Sequence, residues 1–308
     1  MERIVIAIVG PTCSGKTKIG IDLASQLNGE IISADSRQIY KLLSIGTAKP
    51  DENELKKINH HFIDILEPGE EYNVSRFELD ALDVIQKLFD KNKTPIVVGG
   101  SGLYIRALID GIFNLVDVDE EFREELKYKR EKFGNEFIYE ELKKIDPASA
   151  EKMLPQNWKR VMRALEVFHI TGEPISKFHK EYKRENQFNF VQFGLNWDRQ
   201  TLYKNIELRV DKMISSGLIN EVKSILSKGH SKEINALNTV GYKEIISFLE
   251  NEISFERAVE LIKRNTRRYA KRQLTWFRKD ERINWIDVSS EIGLNKIPLQ
   301  IINNLHLV

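Results

Sequence analysis

A short apolar run that empties into a glycine loop, and from there into a helix, constrains this 308-residue chain more than any other feature. Ile4-Val5-Ile6-Ala7-Ile8-Val9 leads into Gly10-Pro11-Thr12-Cys13-Ser14-Gly15-Lys16-Thr17, which fits the G-x-x-x-x-G-K-[ST] pattern of a phosphate-binding loop. Glycines let the backbone turn tightly, so several N–H groups can face one anion. Lys16 adds a mobile positive charge and Thr17 a hydroxyl suited to Mg²⁺, while the helix start adds a favourable dipole. Such a unit predicts a parallel sheet covered by helices on both faces. It demands a diphosphate or triphosphate ligand without saying which. Cys13 reads as a small packed residue of the loop rather than a reactive thiol.

The rest of the chain supports that architecture. Strand patterns at Ile4–Val9, 30–33, 62–66 and 95–98 alternate with helical patterns at 15–27 and 75–89. Residues 1–114 therefore read as the first part of a P-loop α/β core. Residues 115–188 are rich in charge and helix-patterned, broken at Asp146-Pro147 and Thr171-Gly172-Glu173-Pro174. They read as a helical insertion domain. Residues 189–308 return to the core with a strand at 190–197 and helices to about 279. The expected fold is α/β: a P-loop NTPase-like parallel sheet flanked by helices, with a helical insertion. Neither an internal repeat nor a low-complexity tract interrupts it.

Composition removes several function classes. An apolar fraction of 41% supports a buried core. A formal net charge of +1 excludes uniformly cationic binding, so any nucleic-acid site is a local basic patch. The single cysteine permits neither an intrachain disulfide nor a cysteine zinc cluster. The N-terminal apolar run is too short to cross a bilayer and feeds a loop motif rather than a cleavage site, as in a cytoplasmic protein with no membrane partner. His60-His61 and His169 have no accompanying ligand motif and read as structural or surface residues. Nucleotide hydrolysis is poorly represented. P-loop NTPases hold Mg²⁺ with an acidic residue at a second apolar strand, yet 95–98 runs into Gly99-Gly100-Ser101-Gly102. An Asn-Lys-x-Asp guanine-reading motif is also missing from the sequence. Group transfer from another diphosphate fits better.

Two basic clusters stand out. Between Lys263 and Arg272 lie six basic residues and no acidic one, covering half of a helix; Ile262, Thr266, Tyr269, Ala270, Gln273 and Phe277 fall on the core-facing half. Lys159, Arg160 and Arg163 share a second helical face. Stripes like these are also what solvated helix faces look like; only next to a nucleic-acid site would they read as phosphate contacts.

Further motifs run in order along the chain: Ile31-Ile32-Ser33-Ala34-Asp35-Ser36-Arg37-Gln38-Ile39-Tyr40, Ile45-Gly46-Thr47-Ala48-Lys49-Pro50, Gly99-Gly100-Ser101-Gly102-Leu103-Tyr104, and Asn157-Trp158-Lys159-Arg160-Val161-Met162-Arg163-Ala164-Leu165-Glu166-Val167. Leu208-Arg209-Val210-Asp211-Lys212-Met213, Val240-Gly241-Tyr242 and Tyr269-Ala270-Lys271-Arg272-Gln273-Leu274-Thr275-Trp276-Phe277 complete the series. With the glycine loop, this set closely resembles the bacterial tRNA dimethylallyltransferase (isopentenyltransferase) family. Cys13 stands where that family more often has alanine, and Asn205 where a basic residue is expected.

The resemblance implies transfer of a dimethylallyl group from dimethylallyl diphosphate to N6 of the adenosine just 3′ of the anticodon, giving N6-isopentenyladenosine and diphosphate. It implies that the loop 10–17 holds the diphosphate with Mg²⁺, and that Thr12 touches it near the scissile oxygen. Asp35 corresponds to the family's catalytic aspartate at the adenine N6, and Arg209 adds a cation for the leaving group. Ser36, Arg37 and Gln38 offer polar groups to base edges, with further RNA contacts at Ser101 and around Arg123-Glu124. Lys159, Arg160, Arg163, Arg264, Arg267, Arg268 and Lys271 would meet tRNA phosphates. The family suggests a monomer. Two other readings use the same loop: a small-metabolite kinase, which should keep an acidic Mg²⁺ site, and a nucleotide-sensing RNA binder, which would not need Asp35.

Overall fold

The computed structural model describes residues 3–112, 118–182, 184 and 187–305. Its centre is a six-stranded sheet in the order β3-β2-β4-β1-β5-β6, with every pairing parallel. The strands are β1 (Ile4–Val9), β2 (Gly29–Ala34), β3 (His60–His61), β4 (Thr94–Gly99), β5 (Asn189–Trp197) and β6 (Ile283–Val288). β1 lies between β4 and β5, with Val9 opposite Gly99 on one side and Gly194 on the other. Its continuous apolar run follows from burial on both faces. Ile6 and Ile8 enter one core, with Ile19, Leu23 and Phe193; Val5, Ala7 and Val9 enter the other, with Phe77, Tyr104 and Tyr242.

Around the sheet lie α1 (Lys16–Gln26), α2 (Glu52–Lys57), α3 (Val74–Asp90) and α4 (Gly102–Asp110). After the insertion come α10 (Arg199–Ser215), α11 (Leu218–Ser227), α12 (Tyr242–Leu249), α13 (Phe255–Phe277), α14 (Glu291–Leu294) and α15 (Ile297–Leu305). The chain separates into two compact units, 110–185 and the remainder. The sequence boundary at 114/115 lies outside the described residues. The other break falls at 185/186 rather than 188/189 because Phe188 belongs to the core, where it stacks on Phe89 with centroids 5.5 Å apart.

Unit 110–185 contains α5 (Glu120–Phe133), α6 (Asn135–Ile145), α7 (Pro147–Ala150), α8 (Trp158–Thr171) and α9 (Ile175–Glu181), with no strand among its described residues. Leu126, Ile138, Leu142, Val161 and Val167 build its own core. The fully buried Glu166 is held there by Arg123 at 2.8 Å, Arg163 at 2.6 Å and the Asp119 N–H at 3.0 Å. A buried carboxylate persists only with such partners.

One expectation needs correction, and one strand was not anticipated. The strand at 62–66 is not formed: β3 ends at His61 because Phe62 and Asp64 take φ of 65° and 55°, which turns the chain. The apolar residues there still pack, Leu66 forming a lone bridge with Tyr40. β6, at the opposite edge, lies beyond the last element read from the sequence. Its Asn284 and Asp287 interrupt the apolar pattern. Among the described residues no helix is long and apolar enough to cross a membrane.

Candidate active site

All six strands point their carboxyl ends to one edge of the sheet, where the loops after β1, β2 and β4 converge. The loop after β1 needs backbone that ordinary residues avoid. Gly10, Cys13 and Gly15 have φ of 144°, 63° and 87°, and a Cβ on Gly10 would press on Leu195 O at 3.3 Å. Trp197 Nε1 donates to Ser14 O at 3.0 Å and fixes the loop from β5. The Lys16 ammonium donates to Pro11 O at 2.6 Å and makes no ion pair with a carboxylate among the described residues. Burial, with Arg209 nearby, pushes the Lys16 ammonium down to about 8, against a weaker opposing pull from Asp35. An anion in the loop would relieve that cost.

The loops after β2 and β4 are bound together. Asp35 Oδ1 accepts from the N–H groups of Arg37 (2.9 Å) and Gln38 (3.3 Å). Ser101 Oγ accepts from the Ser36 N–H at 3.1 Å. Gln38 is engaged at both ends of its amide, by Ser33 Oγ and by the carbonyls of Thr47 and Ala48, each at 3.2 Å. Arg37 donates to Asn235. A Cβ on Gly99 would lie 2.1 Å from Ala34 O, so these strand ends meet too closely for an acidic side chain there. Below them Glu221 accepts from the successive N–H groups of Ser44, Ile45 and Gly46 (2.9, 2.7 and 3.1 Å) and from Tyr242 Oη (2.6 Å). A Cβ on Gly46 would strike the Tyr242 ring at 2.4 Å, which explains the glycine.

Two hollows open here. The inner one, of about 80 Å³, is lined by the loop residues Thr12, Lys16 and Thr17 and by Ser33, Val98 and Pro50, among others. The outer one, of about 520 Å³, is lined by Arg37, Met213, Asn238, Asn265, Arg268 and Arg272, among others. Thr12, Asp35, Thr47, Arg209 and Tyr269 line both. Within that common wall an Arg209 guanidinium N–H donates to Thr12 Oγ1 at 3.3 Å and to Cys13 Sγ at 3.6 Å. Thr12, Asp35 and Arg209 thus come together from three distant segments. Tyr269, whose phenol burial and the nearby Asp35 push up to about 12, closes the wall.

The other sequence candidates are distributed as follows. On α13, Lys263 and Arg267 pair with Asp211 (2.6 Å) and Glu207 (2.8 Å) of α10, and Arg264 donates weakly to Asn265 at 3.5 Å. Arg268 and Lys271 are exposed and make no ion pair among the described residues. Within unit 110–185, Lys159 and Arg160 are exposed and Glu124 pairs with Lys127, whereas Arg123 and Arg163 both hold the buried Glu166. His60, on the inner hollow, bonds Ile58 O through Nδ1 at 2.8 Å, and His61 bonds Glu30 at 2.7 Å. Tyr269 and Gln273 lay on the core side of a helix and inside the 269–277 motif, neither of which stated a role for them, and Asn238 and Asn265 lay in no motif.

Comparison with known proteins places this geometry in context. Residues 38–280 match the family model described as IPP transferase. A tRNA dimethylallyltransferase of Acetivibrio thermocellus is 49% identical over 286 residues, covering 92% of this chain and 91% of that one. A tRNA dimethylallyltransferase of Alkaliphilus oremlandii is 48% identical over 291 residues, covering 94% and 93%. Among solved structures, a tRNA isopentenylpyrophosphate transferase from Bacillus halodurans aligns with a TM-score of 0.72 at 39% identity, covering 99% of this chain and 97% of that chain. A eukaryotic dimethylallyltransferase acting on tRNA aligns at 0.83 with 28% identity, covering 98% and 78%.

Proposed function

The chain belongs to the IPP transferase family, and from that premise we propose that it transfers a dimethylallyl group from dimethylallyl diphosphate to N6 of the adenosine 3′ to the anticodon of tRNA. The observation that carries the reading is the wall common to both hollows, where Thr12, Asp35 and Arg209 meet. The diphosphate occupies the inner hollow on the P-loop, and the target base enters the outer one. A base stacked in the anticodon loop must swing out to reach it, at a cost of roughly a few kcal/mol.

Transfer forms a bond from N6 to the allylic carbon and breaks that carbon's bond to the diphosphate oxygen. Negative charge grows on the departing diphosphate, where Lys16, Arg209 and the loop N–H groups oppose it. N6 becomes strongly acidic as its new bond forms, so Asp35 takes its proton late and easily. Oδ2 of Asp35 makes no hydrogen bond among the described residues and is the oxygen suited to this.

Mg²⁺ fits the donor set. The Thr17 hydroxyl lines the inner hollow and makes no hydrogen bond among the described residues. Among those residues no cluster of three His, Cys, Asp or Glu could hold a metal by itself. Hard oxygen ligands shared with a substrate diphosphate are how Mg²⁺ is usually held. Thr17 would contribute the protein's share, and the ion would neutralise diphosphate charge. Of the basic residues named from the sequence as tRNA contacts, Arg268, Lys271, Lys159 and Arg160 are exposed and are proposed to meet tRNA phosphates.

The test is transfer itself. Unmodified tRNA incubated with Mg²⁺ and labelled dimethylallyl diphosphate should gain label, whereas labelled ATP should transfer nothing. Label moving from ATP to a small acceptor would instead favour a kinase.

A further inference from the structure

Gln273 of α13 is buried, 7% exposed, on the same side of the helix as Ile262, Ala270 and Phe277. A primary amide placed among such residues is costly unless both its ends are bonded. Both are. Oε1 accepts from the Thr12 N–H at 2.8 Å, and Nε2 donates to Gly100 O at 2.9 Å. The side chain thereby ties the loop after β1 to the loop after β4. Gly100 is its matched partner, since a Cβ there would lie 2.3 Å from Nε2.

We infer that Gln273 is a positioning residue of the donor site, setting the Thr12 peptide so that its hydroxyl meets the leaving diphosphate oxygen beside Arg209. This rests on the prenyl-transfer reading given above. The Thr12 N–H is spent on Gln273 and is not among the donors to the anion. Fixing that peptide leaves Thr12 Oγ1 within 3.3 Å of the Arg209 guanidinium, on the wall shared by both hollows. A group needed at one oxygen of a transition state is sensitive to small displacements: an error of about 1 Å can cost on the order of 10²-fold in rate. Gln273 also lines the inner hollow, and the role inferred for it is to hold the Thr12 peptide through these two bonds rather than to meet the reacting atoms.

Two variants break the tie from opposite sides. Gln273→Met keeps the volume and apolar packing of α13, and Gly100→Ala pushes Nε2 away while leaving the sequence of α13 unchanged. Each should slow single-turnover transfer at saturating substrates by roughly 10- to 100-fold. Affinities for dimethylallyl diphosphate and tRNA should stay close to wild type. Hydrogen exchange at the Thr12 amide should speed up in both. Because the two changes remove one interaction, the double variant should be little slower than the slower single one. The inference is overturned if saturated turnover is unchanged while only thermal stability falls, if donor affinity falls with turnover intact, or if the two effects add. A wild-type protein that transfers nothing would overturn the functional reading along with it; active wild type with unimpaired variants would overturn the inference alone.

Discussion

In the proposed reaction the Asp35 carboxylate has two duties, and its two oxygens divide them. Oδ1 caps the turn at Arg37 and Gln38, which leaves Oδ2 to act as the base. Asp35→Ala removes both, but Asp35→Asn keeps an acceptor for the turn and removes only the base. Asp35→Asn should therefore slow single-turnover transfer by a factor on the order of 10² to 10⁴, with tRNA affinity nearly intact; a rate near wild type would remove Asp35 from the base role. In the same proposal Arg209 acts on the leaving diphosphate. Arg209→Ala should cost about 3–4 kcal/mol of transition-state stabilisation, seen as slower transfer and weaker donor binding with tRNA binding retained. Lys16 and Thr17 were legible because the spacing of the glycine loop states its chemistry, and Thr12, Asp35 and Arg209 through the family that the sequence resembles. The roles of Tyr269 and Gln273 were not legible, although both lie in the 269–277 motif, because on a helix a wall or a clamp has the same spacing as core packing. Only the meeting of α13 with the P-loop tells them apart.

Helix α13 divides its basic residues in the same manner. Lys263 and Arg267 answer the acidic residues of α10, whereas Arg268 and Lys271 stand exposed. Replacing Arg268 and Lys271 with alanine should weaken tRNA binding and flatten the dependence of log affinity on log salt, by ~0.7–0.9 per lost contact. An unchanged slope would mark the stripe as a solvated face. Arg267→Ala should act mainly on stability, and weakly, since exposed pairs contribute about 0–1 kcal/mol. The edge at β2 and β3 makes a sharper stability prediction. Burial works to raise the Glu30 carboxyl, but hydrogen bonds from Lys93, Asn59 and His61 outweigh it and hold the group near 2. Its folded value lies below the ordinary one, so the stabilisation is present above about pH 4.5 and lost as pH falls toward 2. Glu30→Gln should lower the thermal midpoint at neutral pH, by at most on the order of 3 kcal/mol in stability, and the gap should close in acid. A gap independent of pH would contradict it. β1, β2, β4 and β5 were legible within a residue or so. The edges were not: β3 is cut short by two residues at positive φ, and β6 was not read as an element.

At the scale of the molecule, one parallel sheet gathers residues separated by nearly the whole chain, from Thr12 to Gln273, at a single edge. That edge places a phosphate loop beside a carboxylate and next to a hollow large enough for a base. Bound ligand stabilises the folded state by mass action, so with Mg²⁺ dimethylallyl diphosphate should raise the thermal midpoint at lower concentration than ATP does; the reverse order would return the site to a nucleotide. The central claim is about which atom receives the prenyl group. After reaction of the wild-type protein with dimethylallyl diphosphate and unmodified tRNA, digest the tRNA and identify its nucleosides by mass spectrometry. The account predicts N6-isopentenyladenosine, one per tRNA, at the position 3′ to the anticodon. Unmodified adenosine there, with the diphosphate donor intact, would contradict it.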